Sequence, residues 1–299
     1  MRRLLRLLRI LHGSLLRAGR HDYLNLAQST AYSAMVSLFP ALIVAAAVIS
    51  LLPDNAPIRF QLSDFFDRIL PSDVSPLLES YFVDSPHSTH SAHALIIAFV
   101  VSLIGASSVL ATLMEGVRRA NELPVDCWTF MQRRLRALLL VPLSLIPLAL
   151  ASILVVFGHF FTVWLATRIM PSVRTPVFIV AILIRWIVAL AGSTVIIGLI
   201  YHMGTPMKQP WKRVVPGATL STFTWFLTTL AFGWYVTRFA NYSQVYGSLG
   251  AGIALLFWLY IISLCFLFGA EFNAEFYARH SHPRYTHSTA PPPQNVPPI

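Results

Sequence analysis

Six long apolar segments, separated by more polar ones, make up about half of the chain. They cover about residues 29–52, 94–114, 137–165, 175–201, 214–236 and 247–270. A helix needs about 20 consecutive apolar residues to cross the hydrocarbon core of a bilayer. The pattern therefore predicts an all-α polytopic membrane protein with six transmembrane helices. The third segment is the longest, and it is predicted to be tilted or bent at Pro142 and Pro147.

The N-terminal segment has a different pattern, because arginine interrupts its apolar residues every three or four positions. Arg2, Arg6 and Arg9 recur at helical spacing, and Arg17 and Arg20 continue the same side. The opposite side is formed by leucines, namely Leu4, Leu5, Leu8, Leu11 and Leu15. This pattern predicts an amphipathic helix in the membrane interface, bound by apolar burial and by attraction to anionic lipid. A mitochondrial transit peptide shares the arginine-rich character and is the alternative interpretation.

These patterns divide the chain into three regions. Residues 1–28 are predicted to be a cytoplasmic amphipathic helix, residues 29–279 a six-span membrane domain, and residues 280–299 a disordered proline-rich cytoplasmic tail. The sizeable loop at 53–93 is acidic, and we expect one or two short amphipathic helices there on the outer surface.

The composition and the distribution of charge support the membrane assignment. Hydrophobic residues make up 56% of the chain and charged residues 11%, and mean hydropathy is +0.65. The net charge of +10 comes from basic residues in short segments between apolar ones, which is an orientation signal and not a nucleic-acid-binding face. Sixteen Lys and Arg lie in the N-terminal segment, alternate loops and tail, against five in the remaining loops. This asymmetry places both termini in the cytoplasm.

Arg185 is the strongest single functional signal, because it lies about ten residues inside the fourth apolar segment. A charged side chain near the bilayer midplane costs at least about 2.5 kcal/mol, so such residues usually face a partner or a water-filled cavity. One interpretation is contact with an anionic solute or lipid headgroup. The other is a buried ion pair, or a side chain that reaches toward the outer interface.

Small polar residues follow helical spacing in several segments. Ser108, Thr112 and Glu115 lie on one face at the end of the second segment. The first segment carries a similar stripe of Ser29, Ser33 and Ser37, and the fifth carries Ser221, Thr224 and Thr228. Such stripes are typical of close helix packing, and a polar pathway is the alternative.

Two carboxylates and an amide end the sixth segment. Glu271 and Glu275 are four residues apart on one helical face, with Asn273 between them. Paired carboxylates suit proton relay or cation binding. They could equally pair with loop arginines such as Arg118 or Arg133.

The stretch NYSQVYGSLGAG at 241–252 precedes the sixth segment. Its hydrogen-bonding residues, Asn241 and Tyr242 among them, satisfy backbone groups near lipid. Its small residues favour close seating of the sixth helix, and an anion site at a broken helix is the alternative. These small residues are Gly247, Ser248, Gly250 and Gly252.

No metal site, cofactor or catalytic motif is predicted. The histidines of HSTHSAH and of the tail have no fixed shell of three or four ligands, so we expect them to be solvated. The two cysteines suggest neither a disulfide framework nor a metal site.

Several motifs together resemble the YihY/virulence factor BrkB family over about residues 25–279. They are AYSAMVSLFPAL, GASSVLATLMEGVRRANEL, FMQRRLRALLLV, WKRVVPGATLSTFTW and YVTRFANYSQVYGSLGAGIALLFWLYIISLCFLFGAEFNAEF. The resemblance implies a six-span bacterial inner-membrane protein. Members have been labelled ribonuclease BN, linked to serum resistance and suggested to be transporters. Hydrolysis of RNA requires a metal-bound water or an acid–base pair, and the residues suggest neither, so we expect no ribonuclease activity.

The function that the sequence favours is transport of an anionic solute or lipid. The predicted route lies among the second, fourth and sixth segments, with Arg185 contacting the anion and Glu115, Glu271 and Asn273 forming one polar cluster. The expected partners are membrane lipids and an anionic small molecule or headgroup, not nucleic acid. A non-transporting envelope scaffold is the alternative, and the sequence leaves oligomer formation open.

Overall fold

The computed structural model describes residues 2–50, 89–147, 171–206, 209–239 and 248–281, and these ranges are helical over most of their length. The helices are α1 (Arg2–Arg20), α2 (Tyr23–Ser50), α3 (Thr89–Ala120), α4 (130–147), α5 (Pro171–Met203), α6 (Trp211–Phe239) and α7 (Ser248–Ser281). Five helices in the described ranges are long and apolar enough to cross a membrane: α2, α3, α5, α6 and α7. The prediction of an all-helical membrane protein is confirmed.

The predicted third span falls partly outside the described residues. Helix α4 covers its first part, and residues 148–165 are not among those described. Six spans therefore stay a prediction. The same applies to most of the 53–93 loop, to Asn241, Tyr242 and Gly247, and to the tail beyond residue 281.

Helices α2 and α7 differ from the predicted boundaries. Helix α2 begins at Tyr23, six residues before the predicted start of the first span, directly after a tight turn. In that turn Asp22 adopts a left-handed backbone with φ 58°, and its carboxylate accepts a hydrogen bond from Asn25 at 2.7 Å. Helix α7 continues to Ser281, eleven residues past the predicted end of the sixth span. Its added turns carry Glu271, Asn273 and Tyr277, which have partners on other helices.

Helix α7 occupies the centre of the described bundle. It packs against α6 on one side and α2 on the other, and α1 lies across its C-terminal part. Helix α3 runs along α2, and α5 runs along α6. This arrangement brings the polar end of α7 into contact with the N-terminal helix.

The buried core is concentrated at one end of the bundle, here called the basic end. This end comprises α1, the first turns of α2, α4 and α6, and the last turns of α3, α5 and α7. Its core includes Tyr23, Met114, Leu140, Tyr201 and Leu267, each at most 2% exposed. Toward the opposite end the helices expose large apolar side chains, as expected for surfaces that face lipid.

Helices α6 and α7 approach most closely where Gly217 faces Gly269. A Cβ atom at Gly269 would lie 2.6 Å from the carbonyl oxygen of Gly217 and 2.8 Å from the hydroxyl of Tyr201. Neither position has space for a side chain. Tyr201 and Ser221 fill the rest of this crossing, with their hydroxyl oxygens 2.7 Å apart.

Two side chains of α7, those of Tyr277 and Asn273, hydrogen-bond to backbone groups around Pro216 in the first turns of α6. Proline has no N–H, so the carbonyl of Lys212 lacks its helical donor. The hydroxyl of Tyr277 donates to that oxygen at 2.8 Å. Asn273 accepts a hydrogen bond from the Gly217 N–H at 2.6 Å and donates to the Val214 carbonyl at 2.9 Å. Asn273 is therefore a strut between α6 and α7.

Replacing Asn273 with leucine is expected to lower the free energy of unfolding by about 1–2 kcal/mol, because the buried Gly217 N–H loses its acceptor. Chemical unfolding of Asn273→Leu and of the unmodified protein in detergent measures the cost. An unchanged free energy of unfolding would contradict the assigned role.

Candidate functional site

A buried carboxylate, Glu271, lies at the basic end within α7. Its side chain is fully buried, with 0% exposure. The hydroxyl of Tyr23 donates to its Oε2 at 2.8 Å, and the ring Nδ1 of His21 lies 2.9 Å from the same oxygen. A buried carboxylate is costly unless it is paired and hydrogen-bonded, so these partners account for its position.

Arg17 of α1 supplies the positive charge. Its Nε donates to Glu271 Oε1 at 2.6 Å, and its Nη1 lies 3.2 Å from Glu275 Oε2. Its Nη2 donates to Glu122 at 2.8 Å and to the carbonyl of Ala120 at 3.3 Å. One guanidinium thus joins α1 to α7 and to the C-terminal end of α3. We call Arg17, Glu271, His21 and Tyr23 the Arg17 latch.

The electrostatics of the Arg17 latch favour the charged guanidinium. Partial burial of Arg17 opposes its charge, but the carboxylates of Glu271 and Glu122 outweigh this effect and raise the pKa of Arg17 above its ordinary value. Arg17 is therefore a cation at neutral pH.

A second charged group surrounds Glu115 near the end of α3. Arg118 holds this carboxylate with both Nε and Nη2, at 2.9 and 2.6 Å. Arg119 approaches the same carboxylate at 3.1 Å and Arg133 of α4 at 3.4 Å. Three arginines around one carboxylate leave a local excess of positive charge.

A polar cleft opens beside this group, between α2, α3 and α4. Its volume is about 390 Å³. It is lined by Leu26, Ser29, Ser33, Ser108, Ala111, Thr112, Glu115, Phe130, Arg133 and Arg134. From Glu115 the lining runs seven residues along α3 to Ser108, about 10 Å at the rise of an α-helix. We call this feature the arginine cleft.

The structure therefore brings two of the predicted stripes together. Ser29 and Ser33 of the first span face Ser108 and Thr112 of the second across the arginine cleft. Ser37, the third member of the first stripe, instead packs against Gly105. The arginine cleft lies among α2, α3 and α4, whereas the sequence favoured a route among the second, fourth and sixth segments.

Arg185 lies apart from both polar groups. It is half-buried in the middle of α5, and neighbours such as Ile184 and Trp186 are exposed. Sixteen residues separate it from Tyr201 at the basic end, about 24 Å along the helix. Within the described ranges, no hydrogen bond or ion pair reaches Arg185.

Both carboxylates form ion pairs with arginines, which is one of the two interpretations of their sequence, but the groupings differ from those that the sequence favoured. Glu115, Glu271 and Asn273 do not form one cluster, because Glu115 pairs with its own arginines and Asn273 points to α6. Arg118 and Arg133 do not pair with Glu271, whose cation is Arg17. The two groups are linked indirectly, since Arg119 donates to the backbone carbonyl of His21 at 2.9 Å.

The described residues of the 241–252 stretch begin α7. Ser248 is its first residue, and Gly250 is buried. At Gly252 a Cβ would make an ordinary contact with Met35 of α2, at 3.7 Å. This position would therefore accept alanine, and the tight glycine crossing lies at Gly217 and Gly269 instead.

Comparison with known proteins identifies the family to which the chain belongs. The family model described as Virulence factor BrkB matches residues 14–294. The chain belongs to this family. The match includes Arg17, both carboxylate groups and all three helices of the arginine cleft.

Curated relatives of this BrkB-family protein are similar over most of its length. A UPF0761 membrane protein of Alteromonas mediterranea is 27% identical, covering 90% of this chain and 88% of its own. The putative ribonuclease-like protein YfkH of Bacillus subtilis is 24% identical, covering 88% of this chain and 93% of its own. No solved structure matches this chain.

The sequence interpretation missed the residues of α1 that complete the site of this BrkB-family protein. Arg17 was assigned to the basic side of an interfacial helix, but the structure turns it into the bundle. The sequence contained two signals for this contact. A carboxylate within an apolar helix, such as Glu271, requires a cation. Arg17 and His21 are one helical turn apart, so both can face the same partner. Arg134 was also missed, since it was counted only as a loop charge.

Proposed function

We propose that this BrkB-family protein moves an anionic solute or lipid across the bacterial inner membrane. In this proposal it has six spans, and both termini and the basic end face the cytoplasm. The asymmetry of sixteen basic residues against five supports the orientation. Helix α1 would then lie at the cytoplasmic interface, where Leu8 and Leu15 are exposed and can enter lipid.

The arginine cleft is the observation that carries the proposal. It combines arginines at the basic end with hydroxyl groups of α2 and α3. Hydroxyl groups on membrane helices mark close packing or a polar route, and a cleft of about 390 Å³ is not close packing. Because Glu115 is already held by Arg118, the remaining positive charge of Arg133 and Arg134 favours an anion.

A flux assay in proteoliposomes tests the function. The probes are labelled phosphate, labelled sulfate and fluorescent phosphatidylglycerol, the last followed by chemical quenching of the outer leaflet. We expect at least one probe to move, and Arg133→Gln to slow it about tenfold or more, since hydrogen bonds between charged groups contribute about 1.5–3 kcal/mol.

Arg136→Gln is the matched control for this assay. Arg136 lies on the same helix but stacks over Trp128, 4.6 Å from the ring centroid, and does not line the cleft. Its flux should equal that of the unmodified protein. The proposal fails if no probe moves, or if Arg133→Gln and Arg136→Gln behave alike.

Arg185 is proposed as a second contact on the route, farther from the basic end. We expect Arg185→Ala to lower flux about tenfold without changing the melting temperature, because the described residues give this side chain no structural partner. The same proteoliposomes and a thermal melt in detergent measure both quantities. A lower melting temperature with unchanged flux would assign Arg185 a structural role.

An envelope scaffold without transport is the second candidate. The Arg17 latch and the Asn273 strut favour the scaffold. Glu271 and Asn273 were predicted to lie on a polar route, but both side chains make contacts between helices. The scaffold would be supported if the envelope phenotype of cells carrying variants correlated with the melting temperatures of those variants. Arg133→Gln should then leave the phenotype unchanged.

We propose no ribonuclease activity for this chain, although one relative carries a ribonuclease-like name. Within the described ranges, no group of three or more His, Cys, Asp or Glu could hold a metal ion. RNA cleavage by purified protein that is lost on adding a chelator would overturn this part of the proposal.

A further inference from the structure

Two hydroxyl groups in the arginine cleft have no partner within the described residues. Serine and threonine in apolar helices usually donate to the carbonyl one turn earlier. Thr30 and Ser37 of α2 do so, at 2.8 and 3.0 Å. Ser29 and Ser33, one turn apart on the cleft side, make no hydrogen bond to a described residue. Both are therefore available to a ligand.

The two arginines of the cleft are held to different degrees. Arg134 is fixed, because its Nη1 donates to the Ser108 hydroxyl at 2.9 Å and its Nη2 to the Ile104 carbonyl at 3.3 Å. Arg133 has one long contact with Glu115, at 3.4 Å, and its side chain is 38% exposed. Arg134 is thus pre-positioned, and Arg133 keeps most of its donors for a ligand.

The donors approach the cleft from more than one direction. Ser29 and Ser33 lie on α2, whereas Arg133 and Arg134 lie on α4. A planar carboxylate has two oxygens in one plane and matches a single guanidinium. A tetrahedral phosphate presents oxygens in several directions and can accept from both helices at once.

We propose that the arginine cleft binds the phosphate group of a phosphate ester, with Arg133 and Arg134 as charged donors and Ser29 and Ser33 as neutral ones. This inference rests on the proposed function and names its substrate class. The phosphate belongs to a lipid headgroup or to a soluble ester. A lipid is favoured because apolar side chains lie beside the arginines and can contact acyl chains. Phe130 and Met131 are 73% and 70% exposed.

Binding is tested with purified protein in a phosphate-free detergent. Native mass spectrometry records adducts with phosphatidylglycerol, and diacylglycerol serves as the matched lipid without phosphate. Thermal melts with glycerol 3-phosphate and with inorganic phosphate test the soluble source. We expect phosphatidylglycerol to bind at least about tenfold more tightly than diacylglycerol.

Variants of the cleft connect the binding to its residues. Arg133→Gln and the double variant Ser29→Ala with Ser33→Ala should each weaken phosphatidylglycerol binding, and Arg136→Gln should not. Arg133→Lys should recover only part of the loss, because an ammonium group lacks the planar pair of donors. Each of these variants leaves the Arg134 contacts in place, so the bundle should fold.

The outcomes distinguish a lipid headgroup from a soluble ester as the source of the phosphate, and they distinguish phosphate binding from transport. Binding of glycerol 3-phosphate without lipid adducts would assign a soluble ester. Absence of binding by any phosphate probe, or equal binding by Arg133→Gln and Arg136→Gln, would overturn the inference, even if sulfate flux persisted. Phosphate binding without flux of any probe would uphold the site and reject transport.

Discussion

Replacing Arg17 with methionine is expected to lower the free energy of unfolding by about 3–5 kcal/mol, the range measured when one partner of a buried ion pair is removed. Glu271 would stay fully buried with Tyr23 and His21 but without its cation. Chemical unfolding in detergent, followed by tryptophan fluorescence, measures the change.

A second substitution separates the charge effect from simple loss of packing. In the double variant Arg17→Met with Glu271→Met, no uncompensated carboxylate remains at the centre of the latch, and most of the stability should return. Arg20→Met is the control on the same helix, because Arg20 is exposed, and it should change stability by less than about 0.5 kcal/mol. The latch is refuted if Arg17→Met and Arg20→Met unfold alike.

Replacing Gly269 with alanine is expected to destabilise the bundle by about 3 kcal/mol, at the upper end of the range for overpacking. The new methyl group would overlap the hydroxyl of Ser221 and would also meet the carbonyl oxygen of Gly217, which is backbone and cannot rotate away. Helices α6 and α7 would have to separate, and the hydrogen bonds of Asn273 would lengthen. Thermal melts in detergent, compared with unmodified protein, measure the effect.

Gly233 provides the control for this prediction. It also lies within α6, but a Cβ there would meet nothing within 4 Å. Gly233→Ala should therefore be neutral or stabilise by up to about 1 kcal/mol through helix propensity. If Gly269→Ala melts at the same temperature as Gly233→Ala, the close crossing is not required for stability.

Features that depend on neighbouring residues in the chain could be predicted from the sequence, whereas contacts between distant segments could not. Apolar segments report local burial in lipid, so the spans of α3, α5 and α6 could be predicted to within several residues. The stripes of Ser29 and Ser33, and of Ser108 and Thr112, also follow from helical spacing alone. Neither stripe indicates which other stripe it faces, and that pairing creates the arginine cleft.

The partners of charged residues were the least predictable part. Glu271 required a cation, but several basic segments could have supplied it, and the sequence does not rank them. Only the fold shows that α1 crosses the end of α7 and places Arg17 within 2.6 Å. The extension of α7 through Glu275 was missed for the same reason, because its polar turns are stabilised by distant groups.

The Arg17 latch has a consequence for the order of biosynthesis. Arg17 and Glu271 are 254 positions apart, so Arg17 leaves the ribosome long before Glu271 is made. During insertion of every intervening helix, α1 has no access to its carboxylate partner. The latch therefore cannot close until α7 has been made, and a chain truncated before α7 would leave the guanidinium of Arg17 without Glu271 and Glu275.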